Sequence, residues 1–143
     1  MSVQIKRAYE KPSKADGARV LVDRLWPRGV SKDDAALTAW LKAVAPSDGL
    51  RKWFHERPSL WKQFRSKYLK ELDSPEASVA LSELYDLVAS HRTVTLIYSS
   101  RNLEHNNAVV LRDLIGGVRK PPSSSGPAKV AAGAKRARAR ARR

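Results

Sequence analysis

The sequence predicts an α/β fold with a small, largely parallel sheet of three to four strands and helices packed against it. Apolar, β-branched runs lie near residues 18–25 and 93–98, and helical patterns fill much of the chain between them. Strands that alternate with helices favour parallel pairing, because the helix returns the chain to the edge where the next strand starts. A basic C-terminal segment without acidic residues also predicts that a disordered tail follows the domain.

Composition bounds the domain and the classes of protein to which it can belong. From Gly116 onward the chain has nine basic and no acidic residues, so residues 1–115 hold 19 basic against 14 acidic side chains. We therefore expect an α/β domain over residues 1–115 and a disordered, Arg/Ala-rich basic tail over residues 116–143. The absence of cysteine excludes disulfides and thiolate chemistry. No apolar run approaches the roughly 20 residues that span a bilayer, so we expect a cytoplasmic protein without membrane contact.

The first elements follow from short local patterns. Val3 and Ile5 alternate with polar residues, which predicts a strand over about residues 2–8 with one face exposed to water. The run over about residues 18–25 is more continuously apolar, so we expect this second strand to be central rather than at the edge. Ser31, with Asp34 three residues later, resembles a capping box and predicts a short helical turn.

The middle of the chain predicts helices. Residues 37–44 fit both a two-residue and a helical period, and we favour extended structure there. Ser47 and Ser74 are typical helix N-cap residues, and Pro58 is typical of a first helical turn. Three consecutive helices with short breaks are expected to pack as one layer.

The last strand and helix complete the predicted sheet. The run over residues 93–98 is the clearest strand pattern in the chain, because it is rich in β-branched residues and contains no breaker. A polar loop follows, and then residues 104–107 at the start of a helix. In an open parallel sheet ligands bind beyond the carboxyl ends of the strands, so we expect the loops after Leu25 and Tyr98 to meet there.

Several motifs resemble the YeaO-like family, which is grouped as a domain of unknown function, number 488. They are Val-Asp-Arg-Leu-Trp-Pro-Arg-Gly at 22–29, Ala-Pro-Ser at 45–47, Leu-Arg-Lys-Trp-Phe-His at 50–55 and Glu-His-Asn-Asn-Ala-Val-Val-Leu at 104–111. The resemblance covers about residues 2–115 and implies a compact, cytoplasmic α/β domain from bacteria. The basic tail lies outside the resemblance, which implies no established activity.

The two strand-end loops carry a candidate anion site. Guanidinium groups present paired donors that match phosphate and carboxylate, and a glycine permits close approach of the backbone. The predicted ligand-binding residues are Arg24, Trp26, Arg28, Gly29, Arg101 and Asn106. The alternative is structural: Arg24 pairs with Asp23 or Glu104, and Trp26 covers the core.

A catalytic role is a second expectation for the same region. His105 near a helix N-terminus could accept a proton from a substrate, with Asp23 orienting the ring, and His55 is a weaker candidate. The alternatives are that His105 or Asn106 only caps the helix and that His55 bonds a free carbonyl. No metal-ligand spacing supports a metal site, and the sequence identifies neither a cofactor nor an oligomeric state.

Two classes of function therefore remain open. The first is a small enzyme or ligand-binding domain that takes a phosphate-bearing, possibly nucleotide-like, anionic small molecule at the Arg/His cleft. The second is a nucleic-acid-associated binding module whose affinity comes from the tail. Flexible cations attract phosphates with strong salt dependence and little sequence preference, and the tail arginines considered for this role are Arg136, Arg138, Arg140 and Arg142.

Overall fold

A computed structural model describes residues 2–116 of the chain. The chain divides into two units, and the first is described over residues 2–110. The second unit is described only over residues 111–116, which continue the last helix. The predicted tail lies outside the described residues, and the domain boundary at residues 115 and 116 stays a prediction.

Four strands and five α-helices make up the described chain. The strands are β1 Ser2–Arg7, β2 Ala18–Leu21, β3 Ala39–Trp40 and β4 Thr93–Tyr98. The helices are α1 Lys32–Ala35, α2 Asp48–Glu56, α3 Trp61–Glu71, α4 Pro75–Ser90 and α5 Asn107–Ile115. Short 3₁₀ turns lie at Lys14–Asp16 and Lys42–Val44. No helix among residues 2–116 is long and apolar enough to cross a bilayer.

The sheet is parallel throughout, with strand order β1-β4-β2-β3. The predicted α/β class is therefore confirmed. β4 lies between β1 and β2, with Tyr98 opposite Arg7 and Ile97 opposite Leu21. Buried aliphatic side chains of β2 and β4 form the centre of the core, and α4 packs against β4. The carboxyl ends of β1, β2 and β4 consequently meet at one edge.

Helix starts follow their local signals in most places. The Oγ atoms of Ser31, Ser47 and Ser74 accept the backbone N–H groups of the third helical residues at 3.0, 3.2 and 3.3 Å. These three predicted caps are confirmed. Satisfying a free N–H at a helix start in this way stabilises it by about 1 kcal/mol.

Three predicted boundaries were wrong. β2 ends at Leu21 rather than Leu25, because the chain turns at Asp23, and Leu25 is 58% exposed. α3 begins at Trp61 rather than Pro58, and its N-cap residue Leu60 has no side chain that could bond a free N–H. The favoured extended stretch at 37–44 contains only the two residues of β3 before the chain enters a 3₁₀ turn.

An ionic cluster around Asp16 joins β1 and β2. Arg19 of β2 donates to Asp16 Oδ2 at 2.6 Å, and Lys6 of β1 lies 3.1 Å from Asp16 Oδ1. Burial opposes ionisation of Asp16, but the hydrogen bonds from Ser13, Lys6 and Arg19 outweigh it and lower its pKa to about 2. The cluster therefore stabilises the fold only while Asp16 is ionised.

Glycine is required at one position of the sheet. Gly17 has φ +63°, and a Cβ atom there would lie 2.2 Å from the carbonyl oxygen of Thr93. We expect Gly17→Ala to lower the free energy of unfolding by about 2–4 kcal/mol, because the backbone at residue 17 and the backbone at Thr93 must move apart. Gly49→Ala is the matched control: a Cβ atom on Gly49 meets nothing within 4 Å, so stability should stay equal or rise by up to about 1 kcal/mol. Urea unfolding of both variants checks this, and equal effects would contradict it.

Acid unfolding should report on Asp16. Its folded pKa lies below the unfolded value of 3.8, so its contribution is present above about pH 4 and is lost as the pH falls towards 2. The shift corresponds to about 2 kcal/mol. Asp16→Asn should remove this pH dependence and lower stability at pH 7, whereas Asp33→Asn on exposed α1 should do neither. Urea titrations between pH 2 and 7 measure both, and parallel curves for wild type and Asp16→Asn would refute the assignment.

Candidate functional site

The carboxyl edge of the sheet brings together the two loops that the sequence singled out. After β2, the Val22 N–H donates to the carbonyl of Ile97 at 3.1 Å, and after β1, the Ala8 N–H donates to that of Tyr98 at 2.8 Å. The loop after β4 is held from the other side by Arg7, which donates to the carbonyls of Ser99 and Ser100 at 3.0 and 2.9 Å. The two strand-end loops are therefore adjacent.

Asp23 fastens these loops to each other. Its Oδ2 accepts the Ser99 N–H at 2.8 Å, and its Oδ1 accepts the Asn107 side-chain amide at 3.2 Å. The same Asn107 amide donates to the Val22 carbonyl at 2.9 Å. Burial raises the pKa of Asp23, and the hydrogen bonds from Ser99 and Asn107 offset only part of that effect. The carboxylate is thus a half-buried junction that joins the ends of β2 and β4 to the start of α5.

Arg24 lies in the loop after β2, but its side chain binds the segment before α2 rather than the loop after β4. Its Nε and Nη2 atoms donate to the carbonyls of Pro46 and Ala45 at 3.3 and 3.2 Å. A cavity of about 300 Å³ lies beside it, and its polar lining includes Ser47, Glu71 and Glu76. The guanidinium therefore ties the loop after β2 to the start of α2.

The wall of this cavity is held by an internal hydrogen-bond network. Glu71 accepts the backbone N–H of Ser47 at 2.7 Å and its hydroxyl at 2.6 Å. The Tyr68 hydroxyl donates to the Val44 carbonyl. Burial, together with the negative charges of Asp23 and Glu71, raises the pKa of Tyr68 well above its usual value. These hydrogen bonds consequently attach α3 to the segment that leads into α2.

Trp26 and Gly29 shape the loop after β2. The Trp26 indole N–H donates to the Val30 carbonyl at 2.6 Å, and the ring packs edge-on to Trp40 with centroids 5.3 Å apart. Gly29 has φ +80° and open space where a Cβ would lie. Trp26 therefore packs against the small cluster that includes Leu21 and Ile97, while Gly29 lies exposed at the turn.

Two arginines of these loops remain uncommitted. Arg28 and Arg101 are exposed, and neither makes a hydrogen bond or an ion pair with any residue of the 2–116 range. One lies in the loop after β2 and the other in the loop after β4. Both guanidinium groups are available to an external anion.

The start of α5 is organised by asparagine and histidine. Asn106 Oδ1 accepts the Val109 N–H at 3.0 Å, so Asn106 caps the helix, and its Nδ2 donates to the Asn102 carbonyl at 2.8 Å. The His105 ring stacks on Trp61 with centroids 4.6 Å apart and planes 12° apart. His105 is thereby attached to α3.

His55 lies elsewhere. It is exposed near the end of α2 and has no contact with Asp23 or His105 in the described chain. Within residues 2–116 no group of three or more His, Asp or Glu side chains is placed to hold a metal ion. The three predicted catalytic residues are therefore distributed over α2, the Asp23 junction and the start of α5.

Comparison with known proteins identifies the family. A family model described as the inactive DUF488-N3 subclade matches residues 2–124. The uncharacterised protein YeaO of Escherichia coli K12 is 44% identical over 113 residues, which are 79% of this chain and 96% of YeaO. The uncharacterised proteins Mb3100c of Mycobacterium bovis and Rv3073c of Mycobacterium tuberculosis are each 42% identical over 115 residues, 80% of this chain and 94% of theirs. The chain belongs to the DUF488 family. No solved structure matches it.

Sequence reasoning missed several residues that organise the site of this DUF488 domain. Ser99 contributes through its backbone N–H, and because every residue except proline has this group, the residue type gives no signal. Asn107 stands beside Asn106 in the Glu-His-Asn-Asn motif, and only the fold assigns capping to one and the Asp23 contact to the other. Arg7 and Trp61 reach the loop after β4 from distant parts of the sequence.

Replacing the Asp23 carboxylate should loosen the two loops of the DUF488 domain. In Asp23→Asn, one oxygen is replaced by an amide that faces the donor of Ser99 or Asn107, so we expect a loss of about 1–3 kcal/mol. The raised pKa of Asp23 means that wild-type stability falls as the pH rises from 3.8 through the folded pKa, and the variant should lack this slope. Urea unfolding from pH 3 to 7 and exchange of the Ser99 amide measure both effects. Unchanged Ser99 protection would contradict the junction.

Proposed function

We propose that this domain binds a phosphate-bearing or other anionic small molecule, nucleotide-like ligands included, on the surface formed by the loops after β2 and β4. The single observation that carries the proposal is that Arg28 and Arg101 are exposed and have no partner among residues 2–116, while Asp23 joins the loops on which they lie. The domain would act in the cytoplasm.

The chemistry of the loops suits an anion. A guanidinium offers paired planar donors, and an uncommitted one can meet phosphate without first breaking an internal ion pair. Gly29 lets the backbone approach the ligand, because no side chain covers the turn. Arg24 supports the surface by anchoring its loop to the Ala45 and Pro46 carbonyls.

Asp23 is compatible with an anion nearby. Both of its oxygens accept hydrogen bonds from within the domain, from the Ser99 N–H and the Asn107 side-chain amide. The group therefore presents no free carboxylate oxygen to the ligand. Its contribution to binding is to hold the two loops at a fixed separation.

The family model that matches this chain is described as an inactive subclade, which favours binding over catalysis. Asn106 is used as a helix cap, and His105 is stacked on Trp61, which supports a positioning role for both. Acid-base catalysis by Asp23, His55 and His105 stays a prediction. So does nucleic-acid binding by Arg136, Arg138, Arg140 and Arg142, which lie outside the described residues.

Thermal shift of the full chain tests the proposal. With inorganic phosphate, pyrophosphate and a panel of nucleotides as probes, at least one should raise the melting temperature, because a ligand that binds the native state stabilises it by mass action. Arg28→Gln and Arg101→Gln should each weaken the response about tenfold in probe concentration, as expected for loss of about 1.5–3 kcal/mol from a charged hydrogen bond.

Arg92→Gln is the matched control, since Arg92 is exposed immediately before β4, at the opposite end of the same strand from Arg101. It should respond as the wild type does. The proposal fails if no probe stabilises the protein, or if all three variants lose the response equally.

A further inference from the structure

The positive charge of the described domain is concentrated on α2, α3 and the turn between them. Residues 48–71 hold seven basic and three acidic side chains, whereas the whole of residues 1–115 has only five more basic than acidic residues. Between Arg57 and Lys70 there are five basic residues and no acidic one. Helix α4, in contrast, has three acidic and no basic residues. The charge excess is thus a property of one helical pair.

Most of these basic side chains lack internal partners. All seven are exposed. Arg51 lies 3.5 Å from Asp48, and Arg57 lies 3.3 Å from Glu56. The remaining five have no acidic partner within residues 2–116, and they are Lys52, Lys62, Arg65, Lys67 and Lys70. The third acid, Glu71, is occupied by Ser47. The outer surface of the pair is therefore an unneutralised cationic surface.

Aromatic packing holds the two helices as one platform. Phe54 of α2 stacks on Phe64 of α3 with centroids 4.3 Å apart. On the outer side, Lys67 Nζ of α3 lies 5.0 Å from the centre of the Trp53 ring of α2, and Arg57 lies 5.8 Å from it. The cations are consequently carried on a packed pair of helices rather than on a loop.

We propose that the surface formed by α2 and α3 binds the phosphate backbone of duplex nucleic acid. Lys62 and Lys70 are eight residues apart on one helix, which corresponds to a rise of about 12 Å along the helix axis. This rise is close to the width of the major groove of a DNA duplex. A duplex carries about one negative charge per 1.7 Å, so it matches an extended cationic surface better than a single small anion does.

The aromatic residues of this surface favour a duplex over a single strand. Single-strand binding uses exposed rings on which bases stack. Trp53 and Trp61 are only partly exposed, with cations over the Trp53 ring and with Phe64 and His105 stacked on Trp61. The α2–α3 surface therefore contacts backbone rather than bases, and its binding has little sequence preference. Its basic residues are different from those of the strand-end loops, and the proposal does not rest on the proposed function.

The experiment is a salt titration of binding, with the full chain and a fluorescent 20-base-pair DNA duplex followed by anisotropy. The test variant combines Lys62→Gln, Arg65→Gln and Lys70→Gln. The matched control combines Lys11→Gln, Lys14→Gln and Lys32→Gln, which remove the same charge from exposed positions elsewhere. All six side chains are exposed, so both triple variants should keep the wild-type circular dichroism spectrum and melting temperature, and both are checked for this.

We expect the test variant to bind about tenfold or more weakly at 0.1 M salt, and its slope of log K against log salt to fall by about 2 to 3, because each phosphate contact contributes about 0.9. The control should change the slope by less than 1. A duplex RNA of the same length should follow the same pattern, and a single strand should bind more weakly than either duplex.

Four results would overturn the proposal. Equal losses in both triple variants would assign the attraction to net charge alone. An unchanged test variant would assign it to residues outside α2 and α3, the tail included. Tighter binding of the single strand than of the duplexes would exclude docking on the duplex backbone. Absence of any binding by the wild type would also reject it.

Discussion

Strand β4 must insert between β1 and β2, and the rest of the described structure depends on that constraint. β4 pairs with β1 on one side and with β2 on the other. At the amino end it requires Gly17, whose missing Cβ leaves room for the Thr93 carbonyl. At the carboxyl end it delivers Ser99 to Asp23. The candidate site therefore exists only when strands separated by more than 70 residues have paired.

The arginines of the domain divide into those used internally and those left at the surface. Arg7, Arg19 and Arg24 each donate to backbone carbonyls, and Arg19 also pairs with buried Asp16. Breaking these contacts would leave charges or carbonyls without hydrogen-bond partners. The free-energy cost of such unpaired groups exceeds the net contribution of the bonds themselves. The cations that remain available to a ligand are accordingly the exposed, unpaired ones. Two groups of these cations lie on surfaces of different shape: a pair of loops that suits a small anion and a helical pair that suits an extended one.

Local signals in the sequence predicted local structure well. The bounds of β4 were predicted correctly because Thr93 to Tyr98 is an unbroken β-branched run, and serine caps at Ser31, Ser47 and Ser74 act within one helical turn. The α/β class and the adjacency of the two loops followed from alternating elements. Such predictions need no knowledge of distant partners.

The details of the site could not be predicted because they depend on tertiary contacts. Whether Arg24 faces a ligand or the Ala45 carbonyl is decided by where the start of α2 lies. Trp26 packs on Trp40, and His105 on Trp61, through contacts that no spacing in the sequence encodes. The strand-end loops could be predicted because Asp, Arg and Gly follow apolar runs. The hydrogen bonds within and between these loops could not be predicted without the three-dimensional structure.

The most direct test of the central claim, that the loops after β2 and β4 form an anion-binding surface, is a pyrophosphate titration of the isotope-labelled full chain observed by nuclear magnetic resonance. We expect saturable shifts of the Arg28 and Arg101 side-chain resonances and of the Gly29 and Ser99 amide resonances, at pyrophosphate concentrations that leave the resonances of α4 unchanged. Shifts confined to residues 117–143, or spread over all exposed basic side chains without saturation, would contradict it.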